Sequence, residues 1–140
     1  MYLPDVNLWL ALAFEAHVHH VRALRWFDQT TPDTCVFSRQ SQSGFLRLAT
    51  NPAVFRTEAA SVPQAWSMFD QLLSDERVCF APEPPGLEAV WRRYTEPYPY
   101  SHRVWSDAYL AAFAAVAGLR LATFDQGFGK FSDVQVLIPE

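Results

Sequence analysis

Apolar positions along this chain recur in two rhythms, and their alternation predicts short strands separated by pairs of helices. Tyr2-Leu3-Pro4 opens as a short strand; Leu8, Trp9 and Leu12 then form one apolar helical stripe that runs to about Phe14, with Asn7 placed to cap it. His17 to Asp28 predicts a second helix, with Val18, Val21, Leu24, Arg25 and Trp26-Phe27 supplying its apolar face. Thr30-Thr31-Pro32-Asp33 reads as a turn, and Thr34 to Phe37 as a strand. Ser38 opens a helix through Gln42, Phe45, Leu46 and Leu48-Ala49 that stops before Asn51-Pro52, and 53–60 reads as a loop. Ser61 and Pro63 start the next helix, through Trp66, Phe69, Leu72 and Leu73. Val78 to Ala81 is a strand, and Pro84-Pro85 begins a helix with Leu87, Val90 and Trp91 turned inward. Tyr94 to Tyr100 reads as a loop. A small-residue helix covers Asp107 to Ala117 and stops at Gly118. A buried strand then closes on Asp125, the turn Gln126 to Gly129 follows, and Val134 to Ile138 is the last short strand. The order β α α β α α β α α β β predicts one α/β domain over residues 1–140, with a mostly parallel sheet of about five strands.

Composition narrows the function classes. Half the residues are hydrophobic, which excludes a disordered chain, and no apolar run is long enough to span a membrane. No basic-then-apolar leader precedes Asp5, and Cys35 and Cys79 lie in apolar surroundings without metal-ligand spacing. Reduced thiols and a cytoplasmic location are therefore expected. The net charge of −4 argues against a general basic coat for nucleic acid. Lys130 is the sole lysine, so the positive charge is nearly all arginine, the better side chain for phosphate.

Candidate chemistry concentrates in three acids. Asp5 and Asp125 each end an apolar strand, and Asp107 begins the alanine-rich helix that leads into the second of those strands. In an open parallel sheet, strand ends and helix starts meet at one edge, so three carboxylates far apart in sequence converge there. Like charges about 4 Å apart repel by roughly 4 kcal/mol at an effective dielectric near 20, which a divalent cation relieves. Oxygen donors without His or Cys suit magnesium, with manganese able to substitute. Magnesium held by carboxylates is typical of phosphodiester chemistry. Each acid also has a plainer reading, as a helix cap or a turn residue.

The opening Met1-Tyr2-Leu3-Pro4-Asp5-Val6-Asn7-Leu8-Trp9 resembles that of PIN-domain ribonucleases, in particular the VapC toxins of bacterial toxin–antitoxin pairs. His20 with Trp26-Phe27, Gly44-Phe45-Leu46-Arg47-Leu48 before Thr50-Asn51-Pro52, Asp107-Ala108-Tyr109-Leu110-Ala111-Ala112, and Leu121-Ala122-Thr123-Phe124-Asp125 extend the resemblance in the family's order. It implies a three-layer α/β/α fold and a magnesium-dependent endoribonuclease site. It also implies a homodimer and a cognate VapB-type antitoxin. Asp5, Asp107 and Asp125 fall on the family's acids, Asn7 and Thr123 on its polar site positions, and Arg47 on its arginine.

One departure stands out. The register leading into Gly-Phe-Leu-Arg places Gln42 where the family has a glutamate, and Gly127 stands where some members carry a further acid. Glutamine orients water or phosphate but is a poor magnesium ligand. A second reading follows: a catalytically weak PIN domain that serves as an RNA- or antitoxin-binding module. Receiver domains and aspartyl-phosphate phosphatases also put acids at strand ends, but they need a second acid beside the first and a lysine in the site. Asp5-Val6-Asn7, and a Lys130 that lies in a turn beyond the last site strand, fit them poorly. His17, His19 and His20 read as surface or capping residues, and Trp9, Trp26, Trp66 and Trp91 as core. Arg22, Arg25, Arg92, Arg93 and Arg103 read equally as an RNA groove or as solvated faces. The Tyr94 to Tyr100 loop with Trp105 reads as a dimer contact or a base-stacking surface.

Overall fold

The strands are short and apolar on both sides, as a sheet covered on both faces requires. The computed structural model describes residues 1–140. It contains strands β1 (Tyr2–Pro4), β2 (Cys35–Phe37), β3 (Val78–Phe80), β4 (Arg120–Ala122) and β5 (Val136–Leu137). The helices are α1 (Val6–Ala13), α2 (His20–Phe27), α3 (Arg39–Ala49), α4 (Pro52–Phe55), α5 (Val62–Ser74), α6 (Leu87–Thr95) and α7 (Val104–Ala117), with 3-10 turns at Arg56–Glu58 and Gln126–Lys130. All five strands are parallel, in the order β3-β2-β1-β4-β5. The chain leaves β1 toward one edge through β2 and β3, then returns to the other side of β1 with β4. The switch point lies between β1 and β4, where Leu3 pairs with Leu121 and Pro4 with Ala122.

Alternation along each strand sorts the core into two layers. Cys35, Phe37 and Ala122 face α1, α2, α3 and α5, where Trp9 stacks on Phe37 at 3.7 Å between ring centres and Phe45 and Phe69 close around it. Leu3, Val36 and Leu121 face α6 and α7. The alanines of α7 explain its position: Ala108, Ala111, Ala112 and Ala114 are fully buried, so this helix lies close against the sheet. The result is the expected three-layer α/β/α arrangement.

Several boundaries differ from the sequence reading. Asp5, not Asn7, caps α1: its Oδ1 accepts from the Leu8 N–H at 2.7 Å, because the chain leaves the sheet earlier than the apolar stripe indicates. The second helix starts at His20, since 15–19 form turns in which the His17 ring accepts from the His19 N–H. Residues 53–60 are not plain loop: Asn51 caps a single turn with Pro52 at its start, which stacks Phe55 on Phe14 at 3.8 Å. Tyr94 belongs to α6, and α7 begins at Val104, ahead of Asp107. Trp66 is 47% exposed, so core spacing on an amphipathic helix misplaces it by part of a turn. No helix is long and apolar enough to cross a membrane.

One glycine sets how closely α1 and α3 approach. A Cβ on Gly44 would stand 2.7 Å from Val6 Cγ2. Gly44→Ala gains about 1 kcal/mol of helix propensity but overpacks this contact, which costs about 1–3 kcal/mol. We expect a net loss of stability, most of it recovered when Val6→Ala is added. Urea denaturation of both single variants and the double variant measures the coupling, and strict additivity would refute it.

Candidate active site

The C-terminal edge of the sheet opens into a cleft of about 760 Å³ lined by Asp5, Asn7, Arg39, Arg47, Glu83, Asp107 and Asp125 among others. Asp5 follows β1, whose ladder its backbone N–H extends by donating to the Ala122 carbonyl at 2.9 Å. Asp125 follows β4, and Asp107 sits in the first turn of α7. Thr123 lies between the two strand-end acids, fully buried. Its hydroxyl donates to Asp5 Oδ2 at 2.5 Å and accepts from the Asp125 N–H at 2.8 Å. The Gly127 N–H in turn donates to Asp125 Oδ1 at 2.7 Å.

Burial pushes the Asp5 carboxyl up to about 6; the Thr123 hydroxyl and the Leu8 N–H oppose the rise, and Asp125 and Asp107 add to it. Burial also raises Asp107, with Lys130 pulling it down and Asp125 pushing it up. A shared negative field is therefore present in the cleft. The three carboxylates border the same space, yet no three acid, histidine or cysteine side chains in the chain stand close enough to form a ready-made metal cluster. The donor chemistry still fits a hard divalent cation: the cleft offers carboxylate and amide oxygens, with no thiol or imidazole among its lining residues.

Gln42 is not brought to this cleft. Helix α3 turns Gln40, Ser43, Gly44 and Arg47 toward it, whereas Gln42 is buried on the neighbouring face and accepts a hydrogen bond from Arg39 Nη1. Successive helical residues point about 100° apart, so a register one or two positions off moves a side chain out of a site. Thr123 also does not line the cleft, and acts from beneath it. Arg47 and Asn7 are exposed at its wall. Glu83 and Tyr109 are new members: Tyr109 donates to Glu83 Oε2 at 2.7 Å, and burial with this acid beside it raises the phenol. Glu83 follows closely after β3, so the logic that singles out Asp5 and Asp125 would have found it. Arg39, at the N-terminus of α3, carries no such mark in the sequence.

The histidines stay outside. His20 Nδ1 bonds the Ala11 carbonyl at 2.6 Å, and His19 stacks on Phe124. Both cysteines are free thiols raised by burial. A second groove of about 810 Å³, between α6 and the start of α7, holds Trp91, Tyr98 and Trp105. Its acids, Glu88 and Glu96, follow no strand, and its Arg92 and Arg93 are paired with Glu88 and Asp133.

A family model for the PIN domain matches residues 2–134. The chain belongs to the PIN-domain family. It is 38% identical over 141 aligned residues to Ribonuclease VapC41 of Mycobacterium tuberculosis, covering 97% of each chain. The crystal structure of Mycobacterium tuberculosis VapC20, described as a Sarcin-Ricin loop cleaving toxin, superposes with a TM-score of 0.69 at 18% identity, over 92% of this chain and 93% of that one. VapBC2 from Rickettsia felis, bound to a DNA fragment from their promoter, gives 0.70 at 12% identity, over 99% and 98%. At those identities the two structures establish shared fold only. In this PIN domain the acid cleft occupies the topological switch point of the sheet.

The cleft's electrostatics can be tested at Asp5 and at Thr123. The Asp5 carboxyl holds its proton up to about pH 6 in the folded chain but only to about 3.8 when unfolded. Between those values the folded state binds more protons, so this group's contribution to stability falls as pH rises, by about 3 kcal/mol in all. Asp5→Asn keeps an N-cap and removes the titration. In EDTA, the variant's stability relative to wild type should grow from pH 4 to pH 7, and a pH-independent difference would contradict the assignment. Thr123→Val should cost about 1–3 kcal/mol and raise the Asp5 carboxyl further, because the hydroxyl that favours its charged form is gone. A carbon-13 NMR titration of Asp5 reads that shift directly.

Proposed function

We propose that this chain is a metal-dependent endoribonuclease, the toxin of a toxin–antitoxin pair, which hydrolyses RNA phosphodiester bonds in the cytoplasm. The observation that carries this reading is the meeting of Asp5, Asp107 and Asp125, from three separate elements, in one cleft where burial first, and the neighbouring acids after it, raise Asp5 and Asp107. The 38% identity to a protein named as a ribonuclease supports it.

In this reading Asp5, Asp107 and Asp125 hold magnesium or manganese. When bound, the ion supplies charge neutralisation for the phosphodiester and a lowered pKa for the attacking water. Thr123 keeps Asp5 turned toward the cleft and steadies the backbone of Asp125. Asn7 presents an amide to a phosphate oxygen or to water, and Arg47 presents a guanidinium from the α3 wall. Gln42, held beneath that wall, takes no direct part. A VapB-type antitoxin is the proposed partner, and a homodimer the proposed assembly.

The test is cleavage of total RNA by purified, antitoxin-free protein in magnesium, in manganese and in EDTA. Discrete fragments should need either metal, and Asp5→Asn or Asp107→Asn should slow their appearance at least about a hundredfold. Cleavage that persists in EDTA would overturn the metal dependence. RNA binding without cleavage, from folded protein in both metals, would instead make the chain a binding module.

A further inference from the structure

Among the groups bordering the acid cleft, Arg39 is held in an unusual way. Its side chain has two partners: Nη1 donates to Gln42 Oε1, and the guanidinium carbon lies 4.7 Å from the centre of the Phe80 ring. Neither partner carries charge. The ion pairs of this chain all belong to Arg77, Arg92 and Arg93; Arg39 makes none, although Asp5, Glu83, Asp107 and Asp125 border the same cleft. Its exposed guanidinium is thus oriented on two sides while its positive charge remains unneutralised. A planar fork of donors in that state matches the paired oxygens of a phosphate.

Gln42 is accounted for in the same terms. It is 7% exposed, and a buried amide oxygen without a donor is destabilising, so Arg39 satisfies Gln42 as Gln42 orients Arg39. A glutamate there would hold the same guanidinium through a charged pair one turn apart and cancel its field. The neutral amide gives the orientation without the cancellation.

We propose that Arg39 grips a phosphate of the RNA backbone within this cleft, with Gln42 as the positioning residue that holds it there uncancelled; the proposal rests on the ribonuclease reading above. It reverses the expectation that glutamine merely weakens a metal site.

The experiment measures binding of a short fluorescein-labelled single-stranded RNA to the full chain in EDTA, by fluorescence anisotropy across a KCl series. Arg39→Gln should weaken binding about tenfold at low salt and flatten the slope of log Kd against log salt by about 0.7, the mark of one lost phosphate contact. Gln42→Glu should flatten the slope by the same amount while the thermal midpoint holds or rises. Gln42→Met, which keeps volume but not the acceptor, should weaken binding about threefold with the wild-type slope, because the charge is still present. A merely structural role for Gln42 would lower the midpoint in both variants and leave the slope alone. If wild type binds and cleaves RNA while Arg39→Gln retains its affinity and slope, this inference falls and the ribonuclease reading stands. If Gln42→Glu instead tightens magnesium in calorimetric titration with RNA affinity unchanged, the inference also falls. Wild type that neither binds nor cleaves RNA would remove both.

Discussion

A single hydroxyl ties the two strands of the switch point together at their functional ends. Thr123 has one proton to donate and lone pairs to accept with; it gives the proton to Asp5 and takes the Asp125 N–H. Asp5 in turn spends its other oxygen on the first turn of α1. One buried chain of hydrogen bonds therefore runs from helix α1 through the end of β1 to the loop after β4. Both strand-end aspartates are fixed by it. Helix α7 is fixed separately, by alanines that let Asp107 approach the same edge.

That arrangement sets the electrostatic problem the cleft presents. Asp5 is almost wholly buried, and its carboxyl rises to about 6 against two hydrogen bonds that favour the charged form. Desolvation wins because burial is nearly complete, whereas Asp107 is half-buried and has Lys130 for partial relief. A bound cation would reverse the balance at Asp5 by rewarding the charged form, so cation affinity and pH are linked through this residue.

What is legible in the sequence follows from the same physics. Strand-end acids announce themselves because a carboxylate directly after an apolar run is costly to desolvate unless a cap or a partner awaits it, and Asp5 and Asp125 both stand there. Glu83 obeys the rule too, but the prolines on either side of it disguise the strand end as an ordinary turn. Short apolar runs separated by helix pairs are enough to predict five strands and a parallel sheet, and all five are parallel. Helix faces are harder to place. Trp66 and Gln42 are both misplaced because angular position on a helix changes by about 100° per residue, and apolar spacing alone fixes it only to a broad stripe. Nor does any local pattern reveal that Arg39 meets Phe80 from another strand; that contact exists only once β2 and β3 pair.

The placement of charge in the cleft then carries a consequence for its ligand. Four carboxylates, Asp5, Glu83, Asp107 and Asp125, border a space that also receives Arg39 and Arg47. A polyanion approaching the acids alone is repelled, and one approaching the arginines alone is attracted but not activated. In the proposed reading, RNA and the divalent cation therefore help each other bind, and by linkage the help is reciprocal. The arginines stand on α3 and the acids on the sheet edge and α7, so the two charges of the substrate complex are sorted onto separate walls. Gly44, which lets α3 approach α1, stands on the arginine-bearing wall.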